Sequence, residues 1–183
     1  TIPIKMYLQF IEKKGLALLH QEKLQEAGRY FSRGCDLASS HLEAIIDKAR
    51  FINDLAQIEM ITGHPERAIP LFSESRHLVK DLPRKSLGDL TNNDLGTVYY
   101  QMRDYEKAIL LIEEDVEIFS ALKNPEPLAR SLYTLAESYR AVKKMKKAVK
   151  EYERCIALCQ KENYLPILLR AYNGLGNIYL SEE

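Results

Sequence analysis

Cysteine is scarce: Cys35, Cys155 and Cys159 are the only three in 183 residues. Three thiols exclude a disulfide scaffold and fit a reducing, cytoplasmic setting. Net charge is missing too, because 26 basic side chains balance 26 acidic ones. A bulk nucleic-acid binder needs a basic face, so no direct nucleic-acid partner is expected. No apolar run approaches the length that spans a bilayer, so no membrane partner is expected either. Seven prolines and eight glycines are too few for collagen or a flexible linker. No charged, apolar, small-residue leader opens the chain, and its first residue is Thr1, which suggests an excised fragment. What remains, 46% hydrophobic and 28% charged, is an ordinary globular composition.

What the chain does have is an internal repeat. Leu55-Ala56-Gln57-Ile58-Glu59 aligns with Leu95-Gly96-Thr97-Val98-Tyr99, Leu135-Ala136-Glu137-Ser138-Tyr139 and Leu175-Gly176-Asn177-Ile178-Tyr179. The leading leucine therefore recurs every 40 residues. A second element follows the first three copies, at Ala68 to Phe72, Ala108 to Ile112 and Ala148 to Tyr152, each Ala 13 residues after its Leu. A weaker copy, with Gly15, Leu18, Ala27, Phe31 and Gly34, lies 41 residues ahead of the next.

Each unit reads as two helices. Leu128, Leu132, Leu135, Ala136, Tyr139 and Val142 fall on one helical face, as do Tyr105, Ala108, Ile109, Ile112, Val116 and Phe119 after a break. The breaks carry start and stop chemistry. Ser40 with Glu43 has capping-box spacing. Gly63 suits a left-handed helix end and Pro65 the first turn of the next helix. Asn124-Pro125-Glu126 reads as a cap, a first position and a favourable acid, and Asp104 and Pro166 open helices similarly. The pattern predicts an all-α fold of about nine helices and no sheet. Small residues mark close helix contacts: Ala56, Gly96, Ala136 and Gly176 on the first helix, Ala27, Ala68, Ala108 and Ala148 on the second. Tyr99, Tyr139, Tyr179, Phe31, Phe72 and Tyr152 fill the space between. No unit buries its apolar face alone, so several must stack.

Leu-Gly-x-x-Tyr, then Ala, then an aromatic four residues on, resembles the tetratricopeptide repeat (TPR), and the resemblance covers nearly the whole chain. The usual unit has about 34 residues; the longer period here is similar to kinesin light chains, Pins-type adaptors and bacterial Rap- and PlcR-type peptide receptors. The resemblance implies one solenoid over residues 1–183, a right-handed superhelix of antiparallel helix pairs. Its repeats are 3–40, 41–81, 82–123, 124–162 and an incomplete 163–183. Three residues depart from the pattern: Glu59 stands where Tyr is expected, Asn92 where a bulky apolar residue is usual, and Asp115 where a small one is. The last repeat stops after its first helix, and Tyr172, Leu175 and Tyr179 are too apolar for a comfortable cap, which again favours a fragment.

In this family the first helices line a concave groove. The resemblance therefore implies a groove wall of Asn53, Asn93, Tyr133 and Asn173, with Gln57, Thr97, Glu137 and Asn177 alongside. Arg50, Leu90, Arg130 and Arg170 form a third row, and Met60, Tyr100, Arg140 and Leu180 a fourth. Asparagine matches the donor and acceptor of a peptide backbone, and arginine forks suit carboxylates. These rows read as a site for an acidic or C-terminal peptide segment. An ordinary solvated polar helix face is the other reading.

Other constellations point away from chemistry. Lys143-Lys144-Met145-Lys146-Lys147 reads as a solvated basic turn. Cys155 and Cys159 share a helix face and read as buried thiols, since a metal needs more ligands. His20, His41, His64 and His77 form no ligand pair, and His64 reads as a turn or cap residue. Glu113 and Glu114 diverge on their helix. No phosphate loop or serine elbow occurs, so no enzyme activity and no cofactor are expected. The leading expectation is a protein-interaction module that binds a peptide or partner helix. A scaffold that self-associates through repeat edges or its convex face, and a sensory domain of a longer regulator, are the alternatives.

Overall fold

A computed structural model describes residues 3–82 and 92–180, with the side chains of 92–94 outside that description. Nine α-helices and no strand occur among the described residues. The chain gathers into two compact units, Thr1–Leu90 and Thr91–Glu183. The first holds α1 (Ile4–His20), α2 (Leu24–Ser39), α3 (Ile45–Ile61) and α4 (Pro65–Val79). The second holds α5 (Asn92–Gln101), α6 (Tyr105–Leu122), α7 (Pro125–Ala141), α8 (Met145–Glu162) and α9 (Leu165–Leu180). Within each unit every helix packs on the next, and in the second α7 also touches α5 and α9. Among the described residues, no helix is long and apolar enough to cross a membrane.

The expected interplay of small and large residues builds both cores. In the first unit, Phe31 of α2 lies against Gly15 of α1, and Phe51 of α3 lies against Gly34 of α2, at 2.5 Å from where a Cβ would stand. The two rings sit 6.4 Å apart. Ala27, Ala68, Ala108 and Ala148 are fully buried, as expected of close helix contacts. In the second unit Ile112 fills the space beside Gly96, and the Tyr152 ring covers Gly174. Gly176 differs from Gly96: no atom of the described residues lies within 4 Å of where its Cβ would be.

The turns repeat as faithfully as the cores. Glu22, Gly63, Arg103 and Lys143 all adopt positive φ, between 58° and 82°. Each donates its N–H three residues back, and the next residue donates five back, as in Asp104 N to Tyr99 O (2.9 Å) and Lys144 N to Tyr139 O (2.9 Å). This pairing is the Schellman helix end. Lys123 and Asn163 are left-handed at the turns after α6 and α8.

The start signals hold unevenly. Asp104 caps α6 by accepting from Lys107 N at 3.3 Å, and Pro65 and Pro125 open α4 and α7. His64 precedes α4 as the cap residue. Asn124 holds its cap position without a side-chain cap bond. The Ser40–Glu43 capping box does not form. A short 3-10 turn, Leu42–Ala44, intervenes and buries Ala44, so α3 begins only at Ile45.

Positions 75, 115 and 155, one period apart, show how a buried small site handles polarity. Ser75 Oγ donates to Ala49 O at 2.7 Å, and Cys155 Sγ donates to Ala129 O at 3.3 Å, each from a second helix to the first helix before it. Asp115, the expected departure, is fully buried at the same position. Glu59, the other described departure, faces His64 at 3.7 Å and Arg67 at 4.0 Å in place of a packed ring. Asn92 has its side chain outside the described residues.

Candidate functional site

The positions expected to line a groove fall on the first helices, and each unit is described by itself. In the first unit Arg50 lies 3.8 Å from Asp47 on its own helix and 4.0 Å from Glu12 on α1. Its charge is thus shared with two carboxylates of the chain. Asn53 is only 7% exposed, so the amide expected to face a ligand lies inside the unit. Gln57 and Met60 are half-buried.

The second unit holds a connected cluster. Glu137 of α7 is 8% exposed, yet it is an acid. Burial of a carboxylate is tolerable only when donors surround it, and three do. Tyr152 of α8 donates to Oε1. Tyr100 of α5 donates to Oε2 at 3.3 Å, and Arg140 Nη2 donates to the same oxygen at 2.7 Å. The Tyr133 ring lies 6.3 Å from the Tyr152 ring, and Tyr105 lies 5.6 Å from Tyr100. Three helices are thereby joined through one carboxylate.

The electrostatics follow from that arrangement. Burial first, then the Glu137 charge, pushes the Tyr100 phenol up to about 12. Burial and the Glu137 hydrogen bond raise Tyr152, and burial with the Glu137 charge raises Tyr133. The Glu137 hydrogen bond holds Arg140 still more firmly protonated. One donor is left over: Arg140 Nε is buried and has no hydrogen-bond partner.

Around this cluster Arg130 is exposed on α7, and Arg170, Asn173 and Asn177 are exposed on α9. Thr97 is half-buried on α5. Leu90 and the Asn93 side chain lie outside the described residues. The asparagine row therefore divides: Asn53 is buried in one unit, and Asn173 is exposed in the other.

Tyr152 belongs to the cluster, although its repeat position in the sequence marks it only as a core filler. The signal was present. Its equivalents are Phe31, Phe72 and Ile112, none with a hydroxyl, whereas a buried phenol needs a partner.

A cleft of about 480 Å³ lies between α6, α7 and α8. There Tyr139 donates to Glu113, and Arg154 binds Glu151 at 2.5 Å. Lys147 sits 5.0 Å over the Tyr139 ring, so part of the basic turn covers an aromatic face. Cys155 and Cys159 are buried with their sulfurs 3.9 Å apart. No group of three or more potential metal ligands occurs among the described residues.

Comparison with known proteins agrees with this architecture. Residues 129–162 match the tetratricopeptide repeat family model. Over 91 residues the chain is 35% identical to anaphase-promoting complex subunit 6 of Arabidopsis thaliana, covering 49% of this chain and 15% of that protein. The chain thus spans about a seventh of that relative's length. A P. anserina kinesin light chain structure with nearly identical TPR-like repeats superposes with a TM-score of 0.78 at 18% identity, over 100% of this chain and 89% of that one. A Rap protein complexed with competence and sporulation factor gives a TM-score of 0.76 at 16% identity, over 94% of this chain and 53% of that one. Residues 129–162 thus match one tetratricopeptide repeat, and the fold is similar to those of the kinesin light chain-like and Rap structures.

Proposed function

We propose that the chain is a non-catalytic interaction module whose second unit binds an extended peptide or partner helix along α5, α7 and α9, with preference for a carboxylate. One observation carries the reading: Arg140 Nε is a buried donor without a partner, beside a glutamate already saturated by Tyr100, Tyr152 and Arg140 itself. An unsatisfied buried donor is costly, and a ligand oxygen would relieve that cost. Exposed Arg130 and Arg170 offer further forks, and exposed Asn173 and Asn177 offer paired donors and acceptors. Glu137 acts here as a positioning residue that fixes the arginine before a ligand arrives, which limits the entropy cost of binding. The Rap protein of similar fold was solved with a bound factor, a precedent for ligand binding on this architecture.

The test uses a degenerate peptide library presented with free or amidated C-termini, against the wild-type chain and an Arg140→Ala/Arg170→Ala variant. Selection of acidic or free-carboxylate peptides by the wild type, lost in the variant with helical content unchanged, supports the site. Equal capture by both proteins places binding elsewhere.

A further inference from the structure

The cleft between α6, α7 and α8 holds an acid where the other repeats hold an apolar or aromatic residue. Glu151 of α8 occupies the repeat position of Tyr30, Leu71 and Leu111, three residues after the buried alanine in each case. Yet Glu151 is 7% exposed. Arg154, three residues on, binds its Oε2 at 2.5 Å. A buried ion pair of this kind is often no more stabilising than the hydrophobic residues that could replace it. Stability of the fold therefore does not account for an acid here.

The charges around it add a second observation. Glu113 and Glu117 of α6 line the cleft together with Glu151 and Arg154 of α8, three carboxylates against one guanidinium. Tyr139 of α7 donates to Oε1 of Glu113. Burial first, then the Glu113 hydrogen bond and the charges of Glu113 and Glu151, raise that phenol, so acids of both walls act on one hydroxyl. Like charges held near one another repel, and a cation between them relieves the cost. A carboxylate has about four acceptor positions, so Glu113 and Glu151 have room for a further donor.

The shape of the cleft narrows the class of cation. Val116, Leu135 and Tyr139 give it an apolar floor. Among the described residues no group of three or more acids, cysteines or histidines is placed to hold a metal ion. An apolar floor beside carboxylates suits a charged head on a long apolar stem. Lys147 lies 5.0 Å over the Tyr139 ring and does not line the cleft. A guanidinium donates from both edges of its plane, so one head can reach acids on α6 and α8 together.

We propose that this cleft receives one arginine side chain of a partner protein, its stem on the apolar floor and its guanidinium between the α6 and α8 carboxylates. The proposal shares with the preceding reading only that the chain binds other proteins. It needs neither Arg140 nor a ligand carboxylate.

The probe is a blocked five-residue peptide, one arginine with two alanines on each side, acetylated and amidated so that it carries no carboxylate. It is titrated into the whole nitrogen-15-labelled chain. Saturable shifts of amides in 113–120 and 151–154 are expected, with a Kd on the order of 1 mM or below. Glu151→Leu installs the residue of the neighbouring repeats, so melting should be unchanged or raised while binding weakens by at least about tenfold. Glu117→Gln, at an exposed position that folding does not depend on, should weaken binding by about two- to fivefold. A peptide with neutral citrulline in place of arginine should not saturate. Absence of saturable shifts at these amides overturns the proposal, as does equal binding by Glu151→Leu or of a citrulline or lysine peptide. Spermidine saturating the same amides more tightly than the arginine peptide assigns the cleft to a free polyamine and also overturns it. Because the probe has no carboxylate, this result and the result at the Arg140 site are read separately.

Discussion

Tyr152 on α8 donates its hydroxyl to Glu137 on α7, 15 residues earlier in the chain. The same carboxylate receives Tyr100 from α5. A residue placed to fill the core thus also anchors the candidate site, and the packing of the second unit and the orientation of Arg140 depend on one acid.

Replacing that acid should therefore be costly. Glu137→Ala strands two phenols and a guanidinium, and is expected to destabilise the fold by about 2–3 kcal/mol. Urea denaturation measures it. A loss below about 0.5 kcal/mol, the usual range for an exposed site, would show that the network adds nothing to the fold.

Alkaline pH should loosen the same network. The Tyr100 phenol titrates at 10.0 in its unperturbed state and at about 12 in the fold. Below pH 10 both states keep the proton and the contribution is complete. Between pH 10 and about 12 the unfolded chain releases a proton that the folded chain holds, so stability falls. Tyr152 and Tyr139, also raised, extend the trend. Urea midpoints at pH 9 and pH 11 should differ, and Tyr100→Phe with Tyr152→Phe should narrow the gap. A wild-type midpoint that stays constant over this range would contradict the assignment.

Two glycines at the same repeat position should respond with opposite signs. Gly96→Ala drives a Cβ into Ile112 and is expected to cost about 1–3 kcal/mol. Gly176→Ala meets no atom of the described residues within 4 Å and should gain up to about 1 kcal/mol of helix propensity. Thermal melting of the two variants decides; shifts in the same direction would mean that packing at one site is misassigned.

Thiol labelling separates the three cysteines. Burial raises all three thiols, but Cys35 is half-exposed whereas Cys155 and Cys159 are buried. A maleimide should modify Cys35 in the native protein and reach the other two only on unfolding. Early modification at position 155 or 159, located by mass spectrometry, would show that α8 opens readily.

The sequence was legible where chemistry repeats. Ala108 and Ala148 mark their helix contacts because a close approach admits little else. Left-handed turns were legible only at Gly63; at Glu22, Arg103 and Lys143 the backbone adopts the same shape under residues that give no sign of it. The site was harder to read, because a helical register sets which side a residue faces, not its depth. Asn53 and Asn173 share a register, yet one is buried and the other exposed. Nor does spacing reveal that Glu137 is hydrogen-bonded from three helices, since its donors lie 37 residues before, 3 after and 15 after it.

The Schellman turns have a consequence for how such a chain grows and shrinks. Arg103 and Lys143 close their helices with matching bonds, 3.0 Å to the carbonyl three residues back in each case, at φ of 63° and 58°. Removing residues 104–143 would join Arg103 to Lys144 across the same backbone shape, and duplicating them would do likewise. The turn thus acts as a splice junction. Recombination in steps of one period would meet no conformational barrier at the seam, and only the side chains on either side would have to learn new neighbours.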